Sequence, residues 1–221
     1  MSRARDAGSF ALTTNAADYL PRPDTESVLV ELEEWVKNGA TSSIWLTGPP
    51  GMGKSLLLKV LADRLSGCPL CVYVPYPMLA PKDFAAWVLE ALGRLEGDVP
   101  RDQIAALAAR RAEQGGLLLL VDDAMSMRPT TRCALEDWYI ESAGALRSVL
   151  AATGIPSAIA ASGSSVDVRV VLDKPLSFDE STALFSAAIE RSQLDAEARA
   201  LFDLATVKLV IMGSEPTAAV Q

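Results

Sequence analysis

Histidine is absent from these 221 residues. That removes imidazole general bases and histidine metal ligands from any chemistry the chain performs. Cysteine is scarce, with Cys68, Cys71 and Cys133 the only three. Cys68-Pro-Leu-Cys71 is a C-x-x-C, but no second pair or histidine exists to complete a zinc tetrahedron. The pair also runs into a strand-like stretch, whereas redox pairs open a helix, so the thiols are read as free and structural. An odd number without a disulfide framework suits a reducing cytosol. No apolar run approaches the length of a membrane span, and MSRARDAGSFALTT lacks the apolar core of a signal peptide. A cytoplasmic location is expected. Basic residues are outnumbered, 20 Lys and Arg against 28 Asp and Glu, for a net charge of −8 and a pI of about 4.7. This balance opposes attraction to a phosphate backbone, and no basic cluster interrupts it, so nucleic acid is not favoured as a partner.

What is present is a chain that is 50% apolar and 22% charged, enough to build a core. Short apolar strands are expected at 43–47, 70–74, 117–121, 158–161 and 168–172, the third purely apolar, as a parallel strand covered on both faces should be. Between them the spacing predicts helices from Asp24 to about Val36, over 56–65, 82–95 and 101–114, and one long helix over 131–152. Alternation without hairpin signals argues an α/β fold with a parallel five-stranded sheet flanked by helices. After Leu172 the strands stop. Ser177-Phe-Asp-Glu180 reads as a capping box for a helix to about Arg191, and Asp195 can start another toward Met212. The expected organisation is therefore an extended lead-in over 1–23, an α/β core over 24–174 and a small helical lid over 175–221.

Between the first strand and the second helix lies Gly48-Pro49-Pro50-Gly51-Met52-Gly53-Lys54-Ser55-Leu56, which fits G-x-x-x-x-G-K-[ST]. Glycines at 48, 51 and 53 allow the backbone to curl and aim N–H groups at phosphate oxygens, and the helix that follows adds its positive end. Lys54 would place a point charge on the β and γ phosphates of ATP, or on the β phosphate of ADP, and the Ser55 hydroxyl would join a Mg²⁺ shell. Downstream, the apolar strand Leu117–Val121 ends in Asp122-Asp123. Asp122 would serve the magnesium ion and Asp123 would orient the attacking water. No guanine-specific N-K-x-D appears, which favours adenine by default.

Taken together, these residues resemble the additional-strand P-loop NTPases, the group holding AAA+ proteins and the STAND switch ATPases. The likeness runs from about Tyr19 to Pro216 and implies another strand between the loop strand and the carboxylate strand. Tyr19-Leu-Pro-Arg22-Pro-Asp resembles the segment that lies near the adenine in STAND proteins, with proline where the family usually has glycine. Ala160-Ala-Ser162-Gly163 is similar to the close of the fourth strand, where a polar side chain, here Ser162, senses the γ-phosphate. Gly213-Ser-Glu-Pro216 resembles the lid turn that touches nucleotide, with one extra residue. Asp123 stands where AAA+ enzymes usually place Glu, and the Asp-Asp form is common among slow STAND switches. An arginine finger is not evident; Arg147 and Arg169 are candidates beside a structural reading of each.

The resemblance implies an ATP·Mg²⁺-binding switch module and slow ATPase, whose lid position controls a protein partner or self-association. Two alternatives stay open: a hydrolysing AAA+ oligomeric remodeller or loader, and a nucleotide-stabilised scaffold that does not cycle. A helix carrying Glu136, Asp137, Trp138, Tyr139 and Glu141 is a further candidate partner surface, its aromatics also suited to the core.

Overall fold

Leu117–Val121 has no polar side chain, so neither of its faces can meet water without cost. It becomes the second strand in from one edge of a parallel five-stranded sheet, buried along its whole length. A computed structural model of the chain describes residues 15–38, 41–65, 67, 69–93, 103–154 and 168–191. A unit boundary falls between Asp173 and Lys174.

In the first unit the strands are β1 (Ser43–Thr47), β2 (Leu70–Val74), β3 (Leu117–Val121), β4 (Leu146–Ala152) and β5 (Val168–Val171), in the order β2-β3-β4-β1-β5. The helices are α1 (Pro23–Asn38), α2 (Lys54–Arg64), α3 (Pro81–Ala91), α4 (Gln103–Arg110) and α5 (Pro129–Glu141). Every strand pair is parallel. Because successive strand residues face opposite sides, each strand feeds two cores. Leu118, Leu120, Ile44 and Leu46 pack with α1 and α2, while Leu117, Leu119, Val121 and Trp45 pack with α3, α4 and α5. The result is three layers. Burying a leucine of this kind is worth about 2 kcal/mol, so the strand interiors dominate stability.

The sheet corrects one expectation. The predicted long helix over 131–152 is two elements: α5 stops at Glu141 and residues 146–152 form β4. The break is a left-handed pair, Ala143 at φ 51° and Gly144 at φ 83°, which no helix can carry. The Ser142 side chain completes the stop by accepting from the Leu146 amide at 3.1 Å. The fourth strand is therefore 146–152, and the stretch 158–161 assigned that place lies outside the described residues. Smaller shifts follow capping: Pro23 opens α1 one residue before the expected Asp24, and the Arg22 carbonyl accepts from the Glu26 amide at 2.8 Å.

The lead-in is tied down where it meets the core. The Tyr19 hydroxyl lies 2.7 Å from Thr25 Oγ1 and donates to Glu26 Oε1 at 2.9 Å. Arg64 of α2 pairs with Glu26 through both carboxylate oxygens and sits over the Tyr19 ring. From the second unit the structure describes 174–191, in which α6 (Phe178–Arg191) begins with the expected capping box. The Glu180 amide donates to Ser177 Oγ at 3.2 Å and Glu180 Oε2 accepts from the Ser177 amide at 2.8 Å.

Candidate nucleotide site

The site forms where the carboxyl ends of β1, β3 and β4 meet. β4 lies between the loop strand β1 and the carboxylate strand β3, which leaves a gap in which side chains from both can converge. Gly48 continues β1 and its amide donates to the Ala152 carbonyl at the end of β4, 3.3 Å away. Gly51 and Gly53 then take φ of 79° and 87°, a conformation that side chains other than glycine resist. Pro49, Pro50 and Gly51 are exposed; Met52 and Leu56 are half-buried and pack on the α1–α2 core.

α2 starts at Lys54 with no side-chain cap on its N-terminal amides. Those amides carry the positive end of an eleven-residue helix, an arrangement suited to an anion. The Lys54 ammonium folds back on the loop and donates to the Gly48 and Pro49 carbonyls, each at 2.7 Å. Burial lowers its pKa, and the charge of Asp122 acts in the opposite direction. Ser55 occupies the first turn of α2, half-buried.

Asp122 follows β3 and extends its pairing, the amide donating to the Val74 carbonyl at 2.9 Å. Its Oδ1 accepts from the Asp123 amide at 3.0 Å and its Oδ2 from the Tyr73 hydroxyl at 2.8 Å. Asp123 is exposed and adopts φ 45° and ψ 48°, a left-handed geometry stabilised by Ser126, which donates to its carbonyl through both amide and hydroxyl. The loop, Lys54 and Asp122 are thus brought together, and a polyphosphate would meet backbone amides, an ammonium and an oxygen-donor pair.

Among the described residues no group of three or more His, Cys, Asp or Glu converges as a cage for a metal ion. Ser55 and Asp122 instead offer one hydroxyl and one carboxylate, the hard and sparse donor set with which Mg²⁺ is held jointly with phosphates.

Other expected positions fare differently. Ser162 and Pro216 lie outside the described residues. Arg22 is half-buried at the head of α1. Arg147 points its guanidinium at the Trp35 and Val36 carbonyls, capping α1 at the opposite end of β4 from the loop, and so serves the structure. Trp138 is fully buried and Tyr139 is bonded to Ser148, so both aromatics of α5 belong to the interior, while Glu136, Asp137 and Glu141 are exposed. Two residues escaped sequence reasoning. Thr153 directly follows β4 and is exposed at the loop edge of the sheet; recognising Gly144 as a helix stop exposes it. Tyr73 was legible only as a strand residue, though its place two positions before the Asp122 level in the β2–β3 register was a usable signal.

Residues 37–155, more than half of the chain, match the family model described as an AAA domain. No curated protein matches the chain. Among solved structures, Cdc6p from Pyrobaculum aerophilum is 18% identical, with a TM-score of 0.58 over 86% of this chain and 55% of that one. The Aeropyrum pernix ORC1 protein in complex with DNA is 18% identical, with a TM-score of 0.59 over 89% of this chain and 56% of that one. The chain spans a little over half the length of either protein, and likeness at that identity establishes the fold.

Proposed function

The chain belongs to the AAA domain family, and from that premise we propose that it is an ATP·Mg²⁺-binding switch module with slow ATPase activity. The observation that carries the reading is the glycine loop at the end of β1, with the Lys54 ammonium folded onto it, one strand removed from Asp122 at the end of β3. The residues on either side of it have the chemistry to divide the work. The loop amides and Lys54 would hold the phosphates; Ser55 and Asp122 would hold Mg²⁺, which when bound offsets the charge of the phosphates. Asp123 would orient the attacking water, and Thr153 at the end of β4 would contact the γ-phosphate, the role assigned to Ser162 on sequence grounds.

The Asp122-Asp123 pair supports slow turnover and the STAND-like reading. Asp123 reaches one methylene less than glutamate from a strained backbone. A lid role for residues after Lys174 rests on chain connection: the second unit begins two residues beyond Leu172, whose amide bonds the Thr47 carbonyl at 2.7 Å beside the loop. A γ-phosphate held there would bias that junction and through it a protein partner or self-association. The net charge of −8 gives no support to bulk nucleic-acid binding. Among the described residues no helix is long and apolar enough to cross a membrane.

The test compares wild type with Lys54→Ala by titration with a fluorescent ATP analogue in Mg²⁺. A loss of affinity of about 100-fold or more supports the reading, since the lost contact is charge-assisted and repeated on two phosphates. Equal affinity overturns it.

A further inference from the structure

Asp122 is held at both ends. The Asp123 amide fixes Oδ1 from the same chain segment, and the Tyr73 hydroxyl fixes Oδ2 from the neighbouring strand, at 3.0 and 2.8 Å. Each bond restrains rotation about the Cβ–Cγ bond, and both together set the carboxylate plane. Each oxygen still has a second lone pair to offer.

The Tyr73 ring is itself secured. It packs on the α1–α2 core, and the Lys59 ammonium of α2 lies 5.0 Å from its centroid. Burial first, and then the bond to Asp122 and its charge, push the Tyr73 hydroxyl well above the ordinary tyrosine range. Its place as donor to Asp122 rests on the 2.8 Å contact with Oδ2. Phenylalanine would fill the same space against the core, so the hydroxyl is the part that packing does not require.

We propose that Tyr73 is a positioning residue of the nucleotide site, presenting the Asp122 carboxylate in the orientation that a divalent cation on the phosphates needs. The proposal rests on the nucleotide-binding reading above. It assigns Tyr73 to the metal-dependent part of binding and leaves the loop amides and Lys54 to the metal-independent part. Partners of metal ligands at this remove change metal affinity by about 10- to 100-fold when deleted, and a hydroxyl shared with an amide belongs at the low end.

The experiment titrates a fluorescent ATP analogue against wild type, Lys54→Ala and Tyr73→Phe, first with excess EDTA and then with increasing Mg²⁺ at fixed nucleotide. Tyr73→Phe is expected to bind metal-free nucleotide as wild type does and to need about 10-fold more Mg²⁺ for half-maximal gain in affinity. Mn²⁺ followed by electron paramagnetic resonance in the ternary complex reads the same shift without any turnover. A wild-type Mg²⁺ requirement in Tyr73→Phe overturns the inference, with Lys54→Ala still impaired showing that the nucleotide site stands. An equal loss in EDTA and in Mg²⁺ also overturns it, because the hydroxyl then supports the whole site and not the carboxylate. Indifference of binding to Lys54→Ala removes the nucleotide reading and this inference with it.

Discussion

A Cβ placed on Gly48 would lie 2.1 Å from the carbonyl oxygen of Leu172. The first residue of the phosphate loop is thus pressed against the backbone at the end of β5, one residue before the first unit closes at Asp173. Its amide is engaged on the other side by Ala152. The loop is gripped between β4 and β5.

Gly48→Ala is therefore expected to destabilise by about 1–3 kcal/mol, the usual cost of overpacking where the opposing atom is backbone and cannot turn away. Gly51 is the comparison. Nothing lies within 4 Å of a Cβ there, but its φ of 79° makes alanine strained by about 1 kcal/mol. Urea unfolding of the two variants separates steric from conformational cost, and Gly48→Ala should show the larger drop in midpoint.

Acid should weaken the tether between α1 and α2. Arg64, bonded to Glu26, holds the Glu26 carboxyl below its ordinary value of 4.5, with the Tyr19 hydroxyl acting in the same direction. A folded-state value lower than the unfolded one contributes stability above pH 4.5 that is lost as pH falls through the lowered value. The pair is partly exposed, so the contribution is about 0.5 kcal/mol. Glu26→Gln should be less stable than wild type by that amount at pH 7 and indistinguishable from it near the acid limit, as chemical denaturation at both pH values would show.

The phosphate loop was legible because its chemistry is local. Three glycines, Lys54 and Ser55 have to lie within one eight-residue stretch, Gly48 to Ser55, for one turn to curl and a helix to follow. The same holds for the capping box of Ser177 and Glu180, which fixed the start of α6. β3 announced itself because a run such as Leu117–Val121, bounded by Gly116 and Asp122, is too short for a buried helix. β4 did not. Leu146, Val149 and Leu150 also match helical spacing, and the alanines at 151 and 152 favour a helix, so period alone carried the prediction past Gly144. The β4 residues become a strand because β1 and β3 flank them on both sides, a tertiary cause invisible in the segment itself. Reading that strand at 158–161 also led the sequence to Ser162 for the γ-phosphate contact proposed above for Thr153. The Tyr73–Asp122 bond was hidden for a related reason, since it joins residues 49 positions apart that only strand register aligns.

Arg147 offers a clean separation of two roles. Its guanidinium caps the last carbonyls of α1, where a positive charge also meets the negative end of the helix. Arg147→Ala should cost about 1–3 kcal/mol in unfolding free energy while leaving ATP hydrolysis per folded molecule unchanged. An arginine finger would behave in the opposite way, with turnover lost and the unfolding midpoint preserved. Thermal denaturation and a phosphate-release assay on the same preparation decide between the two.

Asp123 combines a functional expectation with a backbone constraint, and the two can be pulled apart by substitution. At φ 45° and ψ 48° the residue occupies a region that glycine enters freely and that Asn and Asp tolerate better than other side chains. Asp123→Gly should therefore unfold at equal or higher denaturant than wild type, Asp123→Asn within about 0.5 kcal/mol of it, and Asp123→Ala about 1 kcal/mol below it. The longer Asp123→Glu should fall with alanine, because glutamate tolerates the left-handed region less well than aspartate. Activity should follow a different order. Asn, Gly and Ala all remove the carboxylate and should abolish hydrolysis while nucleotide binding persists, whereas Glu keeps it and extends its reach. A stability ranking of Gly ahead of Asp and Asn, then Ala and Glu, beside an activity retained only by the two acids, is what the left-handed backbone and the proposed water-orienting role jointly require. Hydrolysis surviving in Asp123→Asn would break the second half and leave the first intact.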